Sequence, residues 1–157
     1  MKRAVFPGSF DPITKGHENI LRRAIPLFDE VVIGVGVNAG KHPMFPLETR
    51  MAWLEEVFED LPQVRVESFE GLTKDFCARE GATWLIRGVR NGGDFEYERT
   101  IAQMMKALDP ALETVILFTD PEHAHIHSTV VRDILRHGGD ATGFVPDAVA
   151  ASISGRA

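Results

Sequence analysis

The sequence predicts an α/β fold, a Rossmann-like, doubly wound sheet of five parallel strands with flanking helices. Short apolar segments alternate with helical periodicity along residues 1–157, and no repeat, low-complexity tract or linker-like stretch interrupts them. Alternating strands and helices form a parallel sheet wrapped by helices, with right-handed crossovers. The length suits one domain with an ordinary hydrophobic core, so we expect a single domain over residues 1–157.

The elements follow from apolar runs and helical periods. The run from Val31 to Val35 is apolar without alternation, which is typical of a strand buried on both faces. Pro26 lacks the amide hydrogen of a helix interior and should tighten or kink the end of the first helix. Strands are predicted near Arg3–Phe6, Glu30–Val37, Val64–Ser68, Thr83–Arg87 and Thr114–Phe118. Helices are predicted near Gly16–Phe28, Leu47–Asp60, Leu72–Glu80, Asp94–Leu108, Ser128–Arg136 and Asp147–Ser154.

Composition narrows the class of protein. Hydrophobic residues make up 44% and charged residues 25% of the chain, as in a globular domain. The net charge of −6 argues against a large nucleic-acid surface, so any anionic ligand needs a local group of cations. One cysteine, Cys77, excludes an internal disulfide and is expected to pack in the core. No apolar run approaches a membrane span of ~20 residues and no signal peptide is visible, so we expect a cytoplasmic location without a membrane partner.

The segment Gly8–His17 carries the strongest functional signal. It follows a short strand and opens a helix, so free backbone amides and the positive end of the helix dipole meet there. Ser9, Thr14, Lys15 and His17 add side-chain donors at the same point. Such a helix start binds phosphate readily, although His17 could instead cap the helix or pack under the turn.

Polar residues also follow the other predicted strands. Ser9 follows the first strand, Lys41 the second, Arg87 and Arg90 end the fourth, and Ser128 lies beyond the fifth. Ligands of open α/β sheets bind at this carboxyl edge. If the first strand neighbours the fourth, the histidine turn and the two arginines face one crevice.

Four ordered motifs resemble a known family. The string GSFDPITKGH at residues 8–17 is similar to the (H/T)xGH signature of nucleotidyltransferases, in the form typical of bacterial phosphopantetheine adenylyltransferases. The strings KHPMF at 41–45, IRGVR at 86–90 with DFEYE at 94–98, and STVVR at 128–132 match further family segments, as does GFVP at 143–146. The resemblance covers nearly the whole chain.

This resemblance implies an enzyme that transfers the adenylyl group of ATP to 4′-phosphopantetheine by direct in-line attack, with Mg²⁺ as cofactor and as a homohexamer. His17 would stabilise the pentavalent phosphorus of the transition state. The implied substrate-binding residues are Ser9, Lys41, Thr73 and Arg87. The implied ATP-binding residues are Ser9, Phe10, His17, Gly88, Val89, Arg90, Glu98, His123, Ala124, His125, Ile126, His127, Ser128 and Thr129. Taken alone, Lys41 reads as a solvated loop residue and Glu98 as a solvated helix acid.

The chain departs from the family pattern at residues 123–127. His123, Ala124, His125 and His127 replace the usual aromatic, serine, phenylalanine and first serine, which weakens the expectation for adenine packing and triphosphate contacts. On an extended segment the three histidines would share one face, as zinc ligands could. Simple replacement is the preferred interpretation, and no metal-binding side chain is predicted.

Two other functions stay open at this point. The acceptor could be nicotinamide mononucleotide or another phosphorylated small molecule, which the wording of the first motif opposes. The chain could also be a nucleotide-binding sensor without turnover, a hypothesis that rests only on the altered histidine segment. The presence of His17, Lys41, Arg87 and Arg90 argues against the sensor.

Overall fold

One sheet of five parallel strands organises the protein, in a computed structural model that describes residues 1–154. The strand order is β3–β2–β1–β4–β5, and every neighbouring pair is parallel. The strands are β1 Arg3–Gly8, β2 Glu30–Val37, β3 Val64–Glu70, β4 Trp84–Val89 and β5 Glu113–Phe118. The predicted doubly wound α/β fold is therefore confirmed; the last residues of the predicted domain, 155–157, lie outside the described residues.

Six α-helices connect the strands or follow them in the described chain. They are α1 Lys15–Ala24, α2 Leu47–Val57, α3 Thr73–Glu80, α4 Gly92–Leu108, α5 Ser128–Arg136 and α6 Asp147–Ile153. Short 3-10 segments are formed by Ile25–Leu27, Pro121–His123 and Thr142–Phe144. None of the helices within residues 1–154 is both long and apolar enough to cross a bilayer.

Two predicted helix ends are wrong. The first helix ends at Ala24 rather than Phe28, because Pro26 cannot donate to the helical ladder and residues 25–27 tighten into a 3-10 turn. This confirms the effect expected of Pro26. The second helix ends at Val57 rather than Asp60, since Phe58 leaves helical geometry at φ −111° and ψ 19°. The remaining bounds differ from the prediction by no more than two residues.

The sheet has a hydrophobic cluster on each face, as the unbroken apolar run in β2 predicts. Val31 and Ile33 pack into the cluster under α1, α2, α5 and α6, while Val32 packs into the one under α3. All three side chains are fully buried. Cys77 lies in the second cluster, where burial and the charge of Asp109 raise the pKa of its thiol to about 12. Its predicted core role is confirmed.

Close packing of α1 on β4 sets the geometry of the carboxyl edge. From β1 the chain continues through β2 and β3 on one side of the sheet, whereas β4 and β5 lie on the other side. In a doubly wound sheet, a crevice opens between the two strands where the order changes in this way, here β1 and β4. A Cβ added at Gly88 would lie 2.8 Å from Cγ1 of Ile20, closer than packed carbon atoms allow. Glycine at this position therefore lets α1 approach β4, which brings the start of α1 beside the end of that strand.

Candidate active site

A crevice of about 340 Å³ lies at the carboxyl ends of β1 and β4. The structure thus confirms that the histidine turn and the arginines face one crevice. It also shows which predicted site residues come together. Those lining the crevice are Ser9, Phe10, His17, Arg87, Gly88, Arg90, Glu98, Ile126, His127 and Ser128.

His17 both caps α1 and lines the crevice. The side chain of Thr14 accepts a hydrogen bond from the amide of His17 at 3.4 Å, and Nδ1 of His17 accepts one from the amide of Thr14 at 3.0 Å. A backbone amide can only donate, so Nδ1 carries no proton and the ring proton of neutral His17 is on Nε2. His17 can therefore cap the helix through Nδ1 and bind a ligand through Nε2 at the same time, because the two roles use different ring nitrogens.

The surroundings of His17 keep its imidazole neutral. Its ring makes edge contacts with Phe10 and Phe6, at centroid distances of 5.1 and 6.5 Å. Burial, which is the largest cause, and the positive charges of Arg87 and Arg90 together lower its pKa to about 4. At neutral pH, His17 can offer an Nε2–H donor to an anion without bringing a charge of its own.

Arg87 is held by an acid on α4. Its Nε and Nη2 donate to the two carboxylate oxygens of Glu98 at 2.8 and 2.6 Å, and Nη1 donates to the carbonyl of Pro7 at 3.1 Å. Glu98 is 7% exposed, so its interpretation as a solvated helix acid is wrong. A bidentate pair of this kind fixes the plane of the guanidinium.

Arg90 forms a similar pair with Asp94, which lies on α4 one turn before Glu98. Its Nε and Nη2 donate to the carboxylate of Asp94 at 2.9 and 3.2 Å, which lowers the pKa of that acid. Its Nη1 donates to the carbonyl of Ile126 at 3.2 Å, and so connects the end of β4 to the segment before α5. Val89, a predicted ATP-binding residue directly before Arg90, is fully buried and is not part of the crevice wall.

The histidine segment does not have the extended form that a shared zinc site needs. Residues 121–123 form a 3-10 turn, His125 packs edge-on against Phe144 at 6.1 Å, and His127 begins α5 as its N-cap. Within the described residues, no group of three or more potential ligands could hold a metal ion. His123, Ala124, His125 and Thr129 also lie outside the crevice wall.

His127 also accepts a backbone hydrogen bond at a helix start, in this case as the N-cap of α5. Its Nδ1 accepts from the amide of Thr129 at 3.2 Å, which leaves the ring proton of the neutral form on Nε2. Desolvation lowers the pKa of His127, and the charge of Arg90 acts in the same direction. Ser128 follows directly in the crevice wall. The starts of α1 and α5 therefore both present donors to one space.

A smaller cavity of about 180 Å³ adjoins the crevice. The two cavities share Pro7, Arg87 and Glu98, and the smaller one continues past Thr73 to Met105. The structure thus joins Thr73 and Arg87, two of the predicted substrate-binding residues. Lys41 is exposed on the loop after β2 and lines neither cavity, so its predicted contact stays a prediction.

Sequence reasoning missed two buried charges beneath the site. The carboxylate of Asp11 accepts from the amides of Met44 and Phe45 at 2.8 and 2.9 Å, and Arg50 donates to the carbonyl of Ser9 at 2.7 Å. Both side chains bond to main chain far away in sequence. No local spacing could have indicated them, although Asp11 stands inside the first motif.

Comparisons with known proteins agree with this geometry. The model of the cytidylyltransferase-like family matches residues 5–134. A phosphopantetheine adenylyltransferase of Flavobacterium johnsoniae is 52% identical over 149 residues, which cover 95% of this chain and 97% of the relative. A phosphopantetheine adenylyltransferase of Thiobacillus denitrificans is 46% identical over 98% of this chain and 96% of its own length.

A solved structure is similar in fold at much lower identity. It is a bifunctional NMN adenylyltransferase/ADP ribose pyrophosphatase from Francisella tularensis, in complex with AMP and a manganese ion. The TM-score is 0.76 at 14% identity, over 98% of this chain and 48% of the other. At this identity the likeness shows the fold alone.

The imidazole of His17 should titrate near pH 4 in the ligand-free protein, because burial and two arginine charges oppose its protonation. NMR titration of the histidine ring protons would measure the midpoint. In Arg90→Ala the midpoint should rise, since one opposing charge is removed. The unfolded chain binds this proton below about pH 6.5, whereas the folded chain binds it only below about pH 4. The free energy of unfolding therefore decreases as the pH drops from about 6.5 to about 4. A wild-type midpoint at the ordinary histidine value would contradict the lowered pKa of His17.

Proposed function

The chain belongs to the cytidylyltransferase-like family, and we infer that it is an adenylyltransferase of coenzyme A biosynthesis. It transfers the adenylyl group of ATP to 4′-phosphopantetheine, giving dephospho-coenzyme A and pyrophosphate. The observation that carries this function is the full-length similarity to phosphopantetheine adenylyltransferases, up to 52% identity. The two joined cavities supply the space that a two-substrate transfer needs.

We propose that the two substrates meet at Arg87. The acceptor would occupy the smaller cavity, with its phosphate at Arg87 and its arm extending past Thr73. In-line displacement requires the leaving group on the opposite side of the α-phosphorus. Arg90, His127 and Ser128 line the crevice but not the smaller cavity, and we propose that these donors hold the leaving pyrophosphate. The acceptor phosphate then attacks phosphorus directly, without a covalent enzyme intermediate.

We propose that His17 stabilises the transition state. Its Nε2–H can donate to an oxygen of the α-phosphate, where negative charge develops during attack. The ring is fixed by the bond between Nδ1 and the amide of Thr14, so little reorganisation is needed. Donors placed in this way typically contribute about 10²–10³ in rate.

We propose that Mg²⁺ enters with ATP. The carboxylates in the described crevice wall belong to Asp94 and Glu98, and each is already bound by an arginine. Such a donor set fits a metal held mainly by substrate phosphates and water. The ion would offset the charge of the triphosphate, while the side chains align the reacting groups.

The exposed face of α4 supports the proposal of a homohexamer. Tyr97, Met104 and Leu108 are 68%, 62% and 57% exposed, and their spacing puts them on one helix face. Phe118, 65% exposed, ends the edge strand β5 beside this helix. An apolar stripe of this kind suits packing against further copies of the chain. We also propose a cytoplasmic location, where ATP is available.

Acceptor choice tests the function most directly. With ATP and magnesium, phosphopantetheine should exceed nicotinamide mononucleotide by at least ~10³ in kcat/KM, about 4 kcal/mol of discrimination. The reason is the lining of the smaller cavity, whose residues include no aromatic ring that could stack on nicotinamide. Pyrophosphate release with each acceptor is the measurement. Similar rates would favour the alternative acceptor, and ATP binding without release would favour the sensor.

His17→Ala should lower kcat by roughly 10²–10³ while ATP affinity changes only several-fold, because the side chain acts mainly in the transition state. Stopped-flow pyrophosphate release and equilibrium ATP binding would separate the two effects. The matched control is His137→Asn, at the far end of α5 and outside the crevice. Near wild-type turnover in folded His17→Ala protein would rule out the role of His17.

Met104→Glu should reduce the molar mass of the assembly, because it places a charge in the apolar stripe of α4. Sedimentation equilibrium would compare it with the wild type and with Gln103→Glu, an exposed position on the same helix about 100° away. Equal masses for all three proteins would contradict the proposed interface.

A further inference from the structure

Arg50 is a buried cation that the adenylyl-transfer mechanism does not use. It lies in the first turns of α2 and is only 4% exposed. Its guanidinium donates to two main-chain carbonyls, from Nη1 to Ser9 at 2.7 Å and from Nε to Phe45 at 3.0 Å. Burying a charge away from water is costly unless the surrounding bonds offset it. The bond to Ser9 connects this charge to the turn beneath the crevice.

The turn that Arg50 holds contains a residue in an unusual backbone conformation. Phe10 has φ +47°, in the left-handed region that non-glycine residues seldom adopt. Such residues persist where the surrounding structure holds them in place. Arg50 bonds to Ser9 on one side of Phe10, and the carboxylate of Asp11 bonds to Met44 and Phe45 on the other.

Phe10 in turn packs against His17. Its side chain is 2% exposed, and its ring meets the imidazole edge-on at 5.1 Å with an interplanar angle of 69°. Two contacts therefore fix the imidazole: the hydrogen bond between Nδ1 and the amide of Thr14, and the packing of its ring against Phe10. A rotation of the Phe10 backbone would remove the second of these constraints.

We propose that Arg50 is a positioning residue for His17. By holding the carbonyl of Ser9, it keeps Phe10 in the left-handed conformation that places its ring against the imidazole. The donor atom Nε2 of His17 is then aimed at the crevice before substrate arrives. This inference rests on the proposed function in one respect, the role given to His17 in adenylyl transfer.

Kinetics of Arg50→Met and Arg50→Lys would test the proposal in the full-length protein. Misplacing a catalytic group by about 1 Å can cost about 10² in rate, so Arg50→Met should lose about 10–100-fold in kcat. KM for ATP should change less than kcat, since His17 acts mainly in the transition state. Lysine can still donate to one carbonyl, so Arg50→Lys should retain more activity than Arg50→Met.

Arg22→Met is the matched control. Arg22 also connects two helices, because it donates to Glu18 on α1 and to the carbonyl of Val57 at the end of α2, but it touches neither Phe10 nor the crevice. Its loss should lower the melting temperature and leave kcat within about twofold, because its bonds run to Glu18, Val57 and Asp60 rather than to the turn at Ser9 and Phe10. Equal kcat losses in Arg22→Met and Arg50→Met would overturn the proposal.

A second measurement does not depend on turnover. The ring-proton resonances of His17 sense the ring current of Phe10, so they should shift in Arg50→Met, shift less in Arg50→Lys and stay in place in Arg22→Met. Unmoved resonances or wild-type kcat in folded Arg50→Met would overturn the positioning role. If the wild type releases no pyrophosphate, the proposed function fails while the NMR comparison still decides the role of Arg50. If Arg50→Met does not fold, Arg50→Lys carries both tests.

Discussion

The hydrogen bond from the amide of Thr14 to Nδ1 of His17 is the constraint on which the site depends. It satisfies a backbone donor at the start of α1, and in doing so it selects the ring tautomer. A serine or glutamate at the same position could complete the helix start, yet neither would offer a rigid second donor. Histidine combines the two tasks in one rigid ring, because its two nitrogens point in different directions. The same hydrogen bond therefore completes this helix start and orients the donor to which we assign the catalytic role.

The positive charge of the crevice is balanced before any ligand binds. Arg87 and Arg90 are each paired with an acid on α4, Glu98 and Asp94 respectively. Unpaired, two arginines in a concave site would repel each other. Paired, they keep a fixed geometry and still lower the pKa of His17. One helix thus orients both cations, and its placement follows from β4 running directly into it.

Much of the fold was predictable because its signals are local. The unbroken apolar run of β2 indicated a strand buried on both faces, and Pro26 indicated where α1 would tighten. The meeting of Ser9, Arg87 and Arg90 followed from the rule that ligand residues gather at the carboxyl edge of a parallel sheet. The burial of Glu98 and Arg50 was not predictable, since it depends on partners that only the folded sheet and helices bring near. Lys41 shows the same limit, because spacing placed it beyond β2 but could not set the direction of its exposed loop.

Arg87 lines both cavities, and in the proposed reaction this position lets one arginine serve two substrates. Arg87 uses Nε and Nη2 for Glu98, and Nη1 for the carbonyl of Pro7. An entering phosphate dianion does not need to break the bidentate pair, since it can replace the neutral carbonyl at Nη1 and form a charge-assisted bond instead. Glu98 then repels a misplaced phosphate while it holds the guanidinium plane. In the proposed transfer, the acid on α4 therefore acts on the alignment of the reacting groups, and misalignment is a large part of the barrier when two anionic phosphates must react in line.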